Sequence, residues 1–321
     1  MSDLSLKKKR PDPHPLDYDW RFTQESTDKL LRTLDNSKSA LLLGTPSLAY
    51  KLIEEERNFT LIDRQFIENM PFQVNLDIGI ALPIEKRFDS IVIDAPWYPK
   101  DIIRWISWAN KCLTPGGLIY TTIWPESTRP TASNEREQIF SWLRSWANFT
   151  IEEECMSYDQ PPYETISKKF NSEFSEEKRW FHGGLLTIKP FQDVELAPKL
   201  NRCNSWQRYT IDHLQLAIRN DKENSEPILG EIDGSYGWIW PHISKRALGR
   251  EDIGFWSSNN NASKLIGSEK LIIMLEVYLG MRNLNEIVSL NCDYDFFKDF
   301  FKSWSIPYNC PEKVKKWQHH E

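Results

Sequence analysis

Glycine is scarce in this chain: 13 of 321 residues, about 4% where about 7% is usual. No G-x-G-x-x-G run is present, which argues against an ordinary dinucleotide-binding loop. There is no stretch of about 18 apolar residues, so neither a transmembrane helix nor a membrane partner is expected. Residues 1–15 lack the apolar centre of a signal peptide. With Lys7-Lys8-Lys9-Arg10 and three prolines they read as a disordered basic tail. The five cysteines (Cys112, Cys155, Cys203, Cys292, Cys310) are odd in number and form no C-x-x-C pair. That excludes a zinc ribbon or disulfide framework and fits free thiols in a reducing, cytoplasmic compartment. His213 and His242 have no partner at ligand spacing, so no metal is expected. Positive charge is not in excess either. Forty basic against 46 acidic side chains give −6, which excludes a globally basic nucleic-acid coat but not a local basic groove.

Aromatics are plentiful: 14 Trp, 16 Phe and 11 Tyr. The length suggests two domains, or one with an extension, and a sizeable core without staples. After the tail, a short amphipathic helix is expected at Thr27–Leu34. Apolar strands follow at Ser39–Leu43, Phe59–Asp63, Phe88–Asp94 and Leu118–Ile123, with Phe72–Leu76 a further candidate. Helical spacing fills the gaps at Leu48–Ile53, Ile102–Cys112 and Glu135–Trp146. Leu113-Thr114-Pro115-Gly116-Gly117 reads as a turn, and Ile151–Met156 and Gly184–Ile188 as two later strands. Strands of short continuous apolar runs alternating with helices predict a parallel, doubly wound α/β sheet covered on both faces. This domain is placed at residues 16–195, with a linker bracketed by Pro190 and Pro198. Residues 200–321 form an α-rich or mixed accessory region, with helices at Ser268–Leu279 and Asp295–Trp304.

Ligands of such sheets bind beyond the carboxyl ends of the strands, so the residues after each strand carry the chemistry. Gly44-Thr45-Pro46-Ser47 follows the first. Gly44 allows a tight turn, Thr45 is a candidate cap for the next helix, and Pro46 suits its first position. The loop is an ordinary strand-to-helix turn or a receptor for a carboxylate on free N–H groups. Asp63 closes the second strand 19 residues after Gly44, near the spacing at which an acid takes both hydroxyls of a ribose. Ile91-Val92-Ile93-Asp94-Ala95-Pro96-Trp97 runs an apolar strand into an acid, a proline-stiffened turn and an aromatic ring. That geometry suits holding an amino group on a carboxylate and carbonyl while the indole stacks on a planar base. A capping Asp beside a core tryptophan is the plainer alternative.

Asp94-Ala95-Pro96-Trp97 resembles the Asp-Pro-Pro-(Tyr/Phe/Trp) motif of S-adenosylmethionine-dependent amino-group methyltransferases, of the N6-adenine and lysine types. Leu113-Thr114-Pro115-Gly116-Gly117 is similar to the Leu-x-Pro-Gly-Gly turn before the fifth strand of that fold. Gly44-Thr45-Pro46-Ser47 is similar to its Pro-Ser cofactor loop, here preceding the catalytic motif. Asp17-Tyr18-Asp19-Trp20-Arg21-Phe22-Thr23 sits where that architecture touches the methionine moiety, which implies contacts from Phe22 and Thr23. The resemblance covers residues 17–190 and implies a Rossmann-like class I methyltransferase fold. By the same resemblance Asp94 would accept from the target amine, the Ala95 carbonyl would take its second hydrogen, Pro96 would stiffen the turn and Trp97 would stack on the target ring. Asp63 would hold the cofactor ribose and Asp77 its adenine. Gln160-Pro161-Pro162-Tyr163 imitates the motif but follows no long apolar strand, and reads as a loop.

In the later region Trp206-Gln207-Arg208-Tyr209, Tyr236 to His242 and Lys245-Arg246 interleave aromatics with cations. Residues 200–260 hold seven basic and eight acidic side chains, so a packed aromatic mini-core competes with a single-strand stacking platform. The helix from Asp295 would lay its aromatic face on a core or a partner, an oligomer included. Three functions are expected to compete: methylation of an adenine N6 amine in DNA or RNA, methylation of a protein lysine or small-molecule amine, and a non-catalytic scaffold of the same fold.

Overall fold

The computed structural model describes residues 11–17, 20–65, 67, 70–170, 181–200, 206–211, 213–242, 247–288, 290 and 293–304. The chain divides into two compact units. The first comprises the described residues of Trp20–Asp159 and Glu176–Arg202, the second those of Met1–Asp19, Gln160–Ser175 and Cys203–Glu321.

The first unit is an eight-stranded sheet, β1 (Arg21–Phe22), β2 (Ala40–Leu43), β3 (Phe59–Asp63), β4 (Gln73–Asn75), β5 (Phe88–Ile93), β6 (Leu113–Ile123), β7 (Ala147–Asp159) and β8 (His182–Pro190), in the order β1-β7-β8-β6-β5-β2-β3-β4. Strands β6, β5, β2, β3 and β4 are parallel, and β8 is antiparallel to both of its neighbours. All four residues of β2 are buried, as expected of a central strand covered on both faces. Alternate side chains divide between the faces. Leu41, Leu43, Ile91 and Ile93 pack with α3 (Pro99–Lys111) and α4 (Ala132–Arg144) through Ile106, Ala109, Ile139 and Leu143. Ala40, Leu42 and Val92 pack with α1 (Gln24–Thr33) and α2 (Pro46–Glu54) through Leu30, Leu48 and Leu52. This is the Rossmann-like doubly wound sheet that the strand pattern predicts.

The Leu113–Gly117 turn is absorbed into β6 as an irregularity. Phe88 pairs with Leu113 but Ser90 pairs with Leu118, and Gly116 takes φ +80°. The extra residues loop out between two paired positions, so the turn chemistry acts inside a strand.

The second unit carries an antiparallel sheet of β9 (Trp206–Ile211), β10 (Leu214–Arg219), β11 (Ile228–Gly230), β12 (Phe255–Ser257) and β13 (Ala262–Ile266), ordered β11-β13-β12-β10-β9. One face packs on α6 (Ser268–Tyr278) and α8 (Tyr294–Trp304), with Phe255 against Leu275, Phe300 and Phe301. The other buries Trp240 and Trp256, the aromatic mini-core of the sequence reading. A short helix, α7 (Asn285–Val288), joins the two longer ones.

Two expectations are corrected here. The expectation of a disordered tail over residues 1–15 fails at residues 11–15. Residues 11–17 lie on the second unit: Asp12 N–H donates to the His213 carbonyl (2.7 Å), His14 is fully buried and bonded to the Trp256 carbonyl (3.1 Å), and Arg208 pairs with Asp17 (2.6 Å). Lys7–Arg10 lie outside the described residues, as do Cys203, Cys292, Cys310, Lys245 and Arg246. The Gln160–Tyr163 segment is not a loop. Pro162 opens a helix, α5 (Pro162–Phe170), which belongs to the second unit, and Tyr163 is fully buried. Proline at a helix start needs no N–H there, which the motif-like spelling concealed. No described helix is long and apolar enough to cross a membrane.

Candidate active site

After β2 the chain goes to β3 on one side, then returns to β5 on the other. The strand order therefore reverses between β2 and β5, and an open α/β sheet has its ligand crevice beyond that switch point. Gly44 and Asp94 follow those two strands. Gly44 N–H donates to the Ile62 carbonyl (2.9 Å), and Asp94 N–H to the Leu43 carbonyl (3.0 Å). Gly44 has φ +67°, and a Cβ there would stand 3.0 Å from the Trp105 ring and 3.1 Å from the Asp94 carbonyl. The glycine is what allows the two loops to close together.

Thr45 occupies the N-cap position of α2 but does not cap it. Its φ, ψ of −118°, 57° departs from the extended cap geometry that swings a hydroxyl over the first free N–H groups. Its Oγ1 is instead buried with no hydrogen-bond partner among the described residues. Pro46 stands at the start of the helix, with Ser47 beside it. An orphaned buried hydroxyl at a helix N-terminus fits a polar ligand group arriving there.

The turn after β5 is spent partly on itself. Tyr98 N–H donates to the Pro96 carbonyl (2.7 Å), closing a three-residue turn. The Trp97 carbonyl accepts from Arg129 (2.8 Å). Arg129 is in turn fixed by Glu135 (Nε–Oε2 2.7 Å) and lies over the rings of Trp124 (4.6 Å) and Tyr98 (5.6 Å). Among the described residues no hydrogen bond reaches the Ala95 carbonyl.

The Asp94 side chain has two donors that sequence reasoning missed. Thr122 Oγ1 and the Tyr158 hydroxyl reach the same oxygen, Oδ1, at 2.9 and 2.7 Å. Burial and the nearby Asp94 charge push the Tyr158 phenol well above its ordinary pKa. It is thereby kept as a protonated donor. Around it the rings are close: Phe22 stacks on Tyr158 (4.8 Å, 29°), and Trp97 and Trp20 meet it edge-on at 5.5 and 5.9 Å. Trp97, half-buried, also meets Trp20 at 5.5 Å. It rests on a position that only glycine can occupy: a Cβ on Gly183 would stand 3.0 Å from its ring and 2.9 Å from the Ile123 carbonyl.

The remaining candidates have structural partners. Thr23 caps α1 and bonds Ser157 (2.8 Å), so its hydroxyl is engaged in joining β1 and α1 to β7. Phe22 is buried behind Tyr158. Asp63 accepts from Gln65 N–H (2.8 Å) and Asp77 from Gly79 N–H (2.8 Å), each in a turn that follows its strand. Tyr18 and Asp19 lie outside the described residues. No local pattern around Tyr158 or Thr122 points to Asp94; strand pairing brings them together.

No family model matches the chain. A curated protein described as a histone (type 2A), from Agaricus bisporus, is 43% identical over 67 residues, 19% of this chain and 48% of that protein. The chain thus spans about half the length of the curated relative it matches. Among solved structures, the branched-chain polyamine synthase of Thermus thermophilus, in complex with N4-aminopropylspermidine and 5'-methylthioadenosine, superimposes with a TM-score of 0.51 at 15% identity. Its C9 mutein with the same ligands gives 0.52 at 17%. Each match covers 62% of this chain and 66% of the other. Likeness at this identity shows the shared Rossmann-like fold.

Proposed function

We propose that this chain is an S-adenosylmethionine-dependent methyltransferase acting on an exocyclic amine, foremost the N6 amine of adenine in DNA or RNA. The observation that carries the reading is Asp94: a half-buried carboxylate beyond β5, at the switch point of the sheet, followed in the chain by Ala95 and its carbonyl. An amine offering one hydrogen to each of those acceptors has its lone pair aimed outward in one direction. Orientation of that kind supplies much of the acceleration in a displacement that needs no strong base. Trp97, half-buried and in ring contact with the Tyr158 that bonds Asp94, offers an aromatic surface.

S-adenosylmethionine, when bound, supplies an electrophilic methyl on sulfur. Gly44, Thr45, Pro46 and Ser47 would receive its polar end at the start of α2, and Asp63 its ribose, with Asp77 nearer the base. The orphaned Thr45 hydroxyl and the left-handed Gly44 support that fit. A protein sharing the fold holds the related thioether 5'-methylthioadenosine.

A protein lysine or small-molecule amine is the second reading. It is favoured by the net charge of −6, which offers no bulk attraction to a polyanion. Calorimetry with S-adenosylmethionine tests the first step. Saturable binding that persists in Asp94→Ala and weakens in Gly44→Val is expected. Absence of binding at high micromolar cofactor would leave the scaffold role and overturn the proposal.

A further inference from the structure

We propose that Tyr158 is a positioning residue that, together with Thr122, fixes the orientation of the Asp94 carboxylate; its bearing on catalysis rests on the reading of Asp94 given above. Each hydroxyl carries one hydrogen, and the carboxylate is the strongest acceptor within reach of both. With Tyr158 and Thr122 both donating to Oδ1, the 3.0 Å contact between their oxygens needs no hydrogen of its own. Two donors on one oxygen resist rotation of the carboxylate about its Cβ–Cγ bond, so the lone pairs presented to an amine keep one direction.

The donors themselves cannot wander. Thr122 is buried within β6, and the Tyr158 ring is buried and wedged among Phe22, Trp20 and Trp97. The same wedge links the turn after β5 to the end of β7. A shift of Trp97 presses on the phenol, and the phenol holds the carboxylate. Phe22 therefore enters the site through Tyr158, as support for a ring that touches the acid.

Tyr158→Phe keeps the ring and its aromatic contacts while removing one hydroxyl. The expected result is a fall in kcat of about 10–100-fold, since small losses of alignment are costly in a positioned reaction. Cofactor affinity should hold close to wild type, while the melting temperature falls by what the loss of one hydrogen bond to a charged group costs. Thr122→Val should lower kcat in the same sense, and the double variant further. A kcat for Tyr158→Phe within twofold of wild type would overturn the catalytic role, whatever happens to stability.

A second readout is independent of the methyltransferase reading. With tyrosine labelled at 13Cζ, the Tyr158 resonance (assigned by its absence in Tyr158→Phe) should move in Asp94→Asn at fixed pH, and the other tyrosines should not. An unmoved Tyr158 resonance would overturn the contact itself. If wild-type protein neither binds cofactor nor transfers methyl groups yet the resonance moves, the functional reading fails and the positioning of Asp94 stands.

Discussion

The Tyr158 phenol, near the end of β7, donates to the Asp94 carboxylate over 2.7 Å and a separation of 64 residues. In the sheet, β8 and β6 lie between the strands that carry the two residues. Gly183 on β8 leaves room beside them for Trp97. The acid of the site is therefore supported by the far side of the sheet as well as by its own loop.

Gly183→Val should displace Trp97. A Cβ would already stand 2.9 Å from the Ile123 carbonyl and 3.0 Å from the indole. Overpacking of this kind costs about 1–3 kcal/mol. A lowered urea midpoint, a shifted tryptophan emission and a loss of methyl transfer are expected together. A variant with wild-type emission and activity would show that Trp97 does not depend on this position.

Gly44→Ala forces a side chain into left-handed backbone and towards Trp105 and the Asp94 carbonyl. A destabilisation of about 1–3 kcal/mol is expected, read by urea unfolding, with weaker cofactor binding in calorimetry.

Arg104, buried on α3, donates to the carbonyls of Ile78 (3.1 Å), Ala197 (2.5 Å) and Ala81 (2.6 Å). It thereby fixes the segment after Asp77 and the stretch before residue 200. Arg104→Met strands three acceptors and should cost about 3 kcal/mol or more. Denaturant unfolding of the first unit would show it.

His14 gives the second unit an acid sensitivity. Burial first, and the charge of Arg208 next, hold its imidazole well below the ordinary 6.5. The unfolded chain takes up that proton near pH 6.5 while the folded chain does not, so stability is present above that pH and lost as pH falls below it. The loss amounts to at most about 1.4 kcal/mol per pH unit. Urea midpoints compared at about pH 7.5 and about pH 5.5 should diverge in wild type and draw together in His14→Gln.

Much of the first unit was legible because its central strands are short apolar runs. Ala40–Leu43, Phe59–Asp63 and Phe88–Ile93 bury nearly every side chain, which leaves a continuous hydrophobic signal. The helices between them were legible for the same reason. The five strands of the second unit were not foreseen. Trp206–Ile211 mixes exposed and buried polar and aromatic residues, and β11 and β12 are only three residues long. In such strands pairing supplies what the local pattern lacks. Asp94 stood out because a strand runs directly into it. Its partners did not, since Thr122 looks like an ordinary strand residue and Tyr158 an ordinary aromatic one. Thr45 misled for a different reason: residue type suggested a cap, and backbone angles decided otherwise.

Transfer of tritium from methyl-labelled S-adenosylmethionine is the most direct test of the amine-methylation account. Wild-type protein given adenine-containing DNA or RNA should place label on the N6 amine, and Asp94→Ala, with cofactor binding intact, should lose about 100-fold or more of that activity. Label passed equally well by Asp94→Ala, or no label passed by wild type to nucleic acid, protein or small amines, would contradict it.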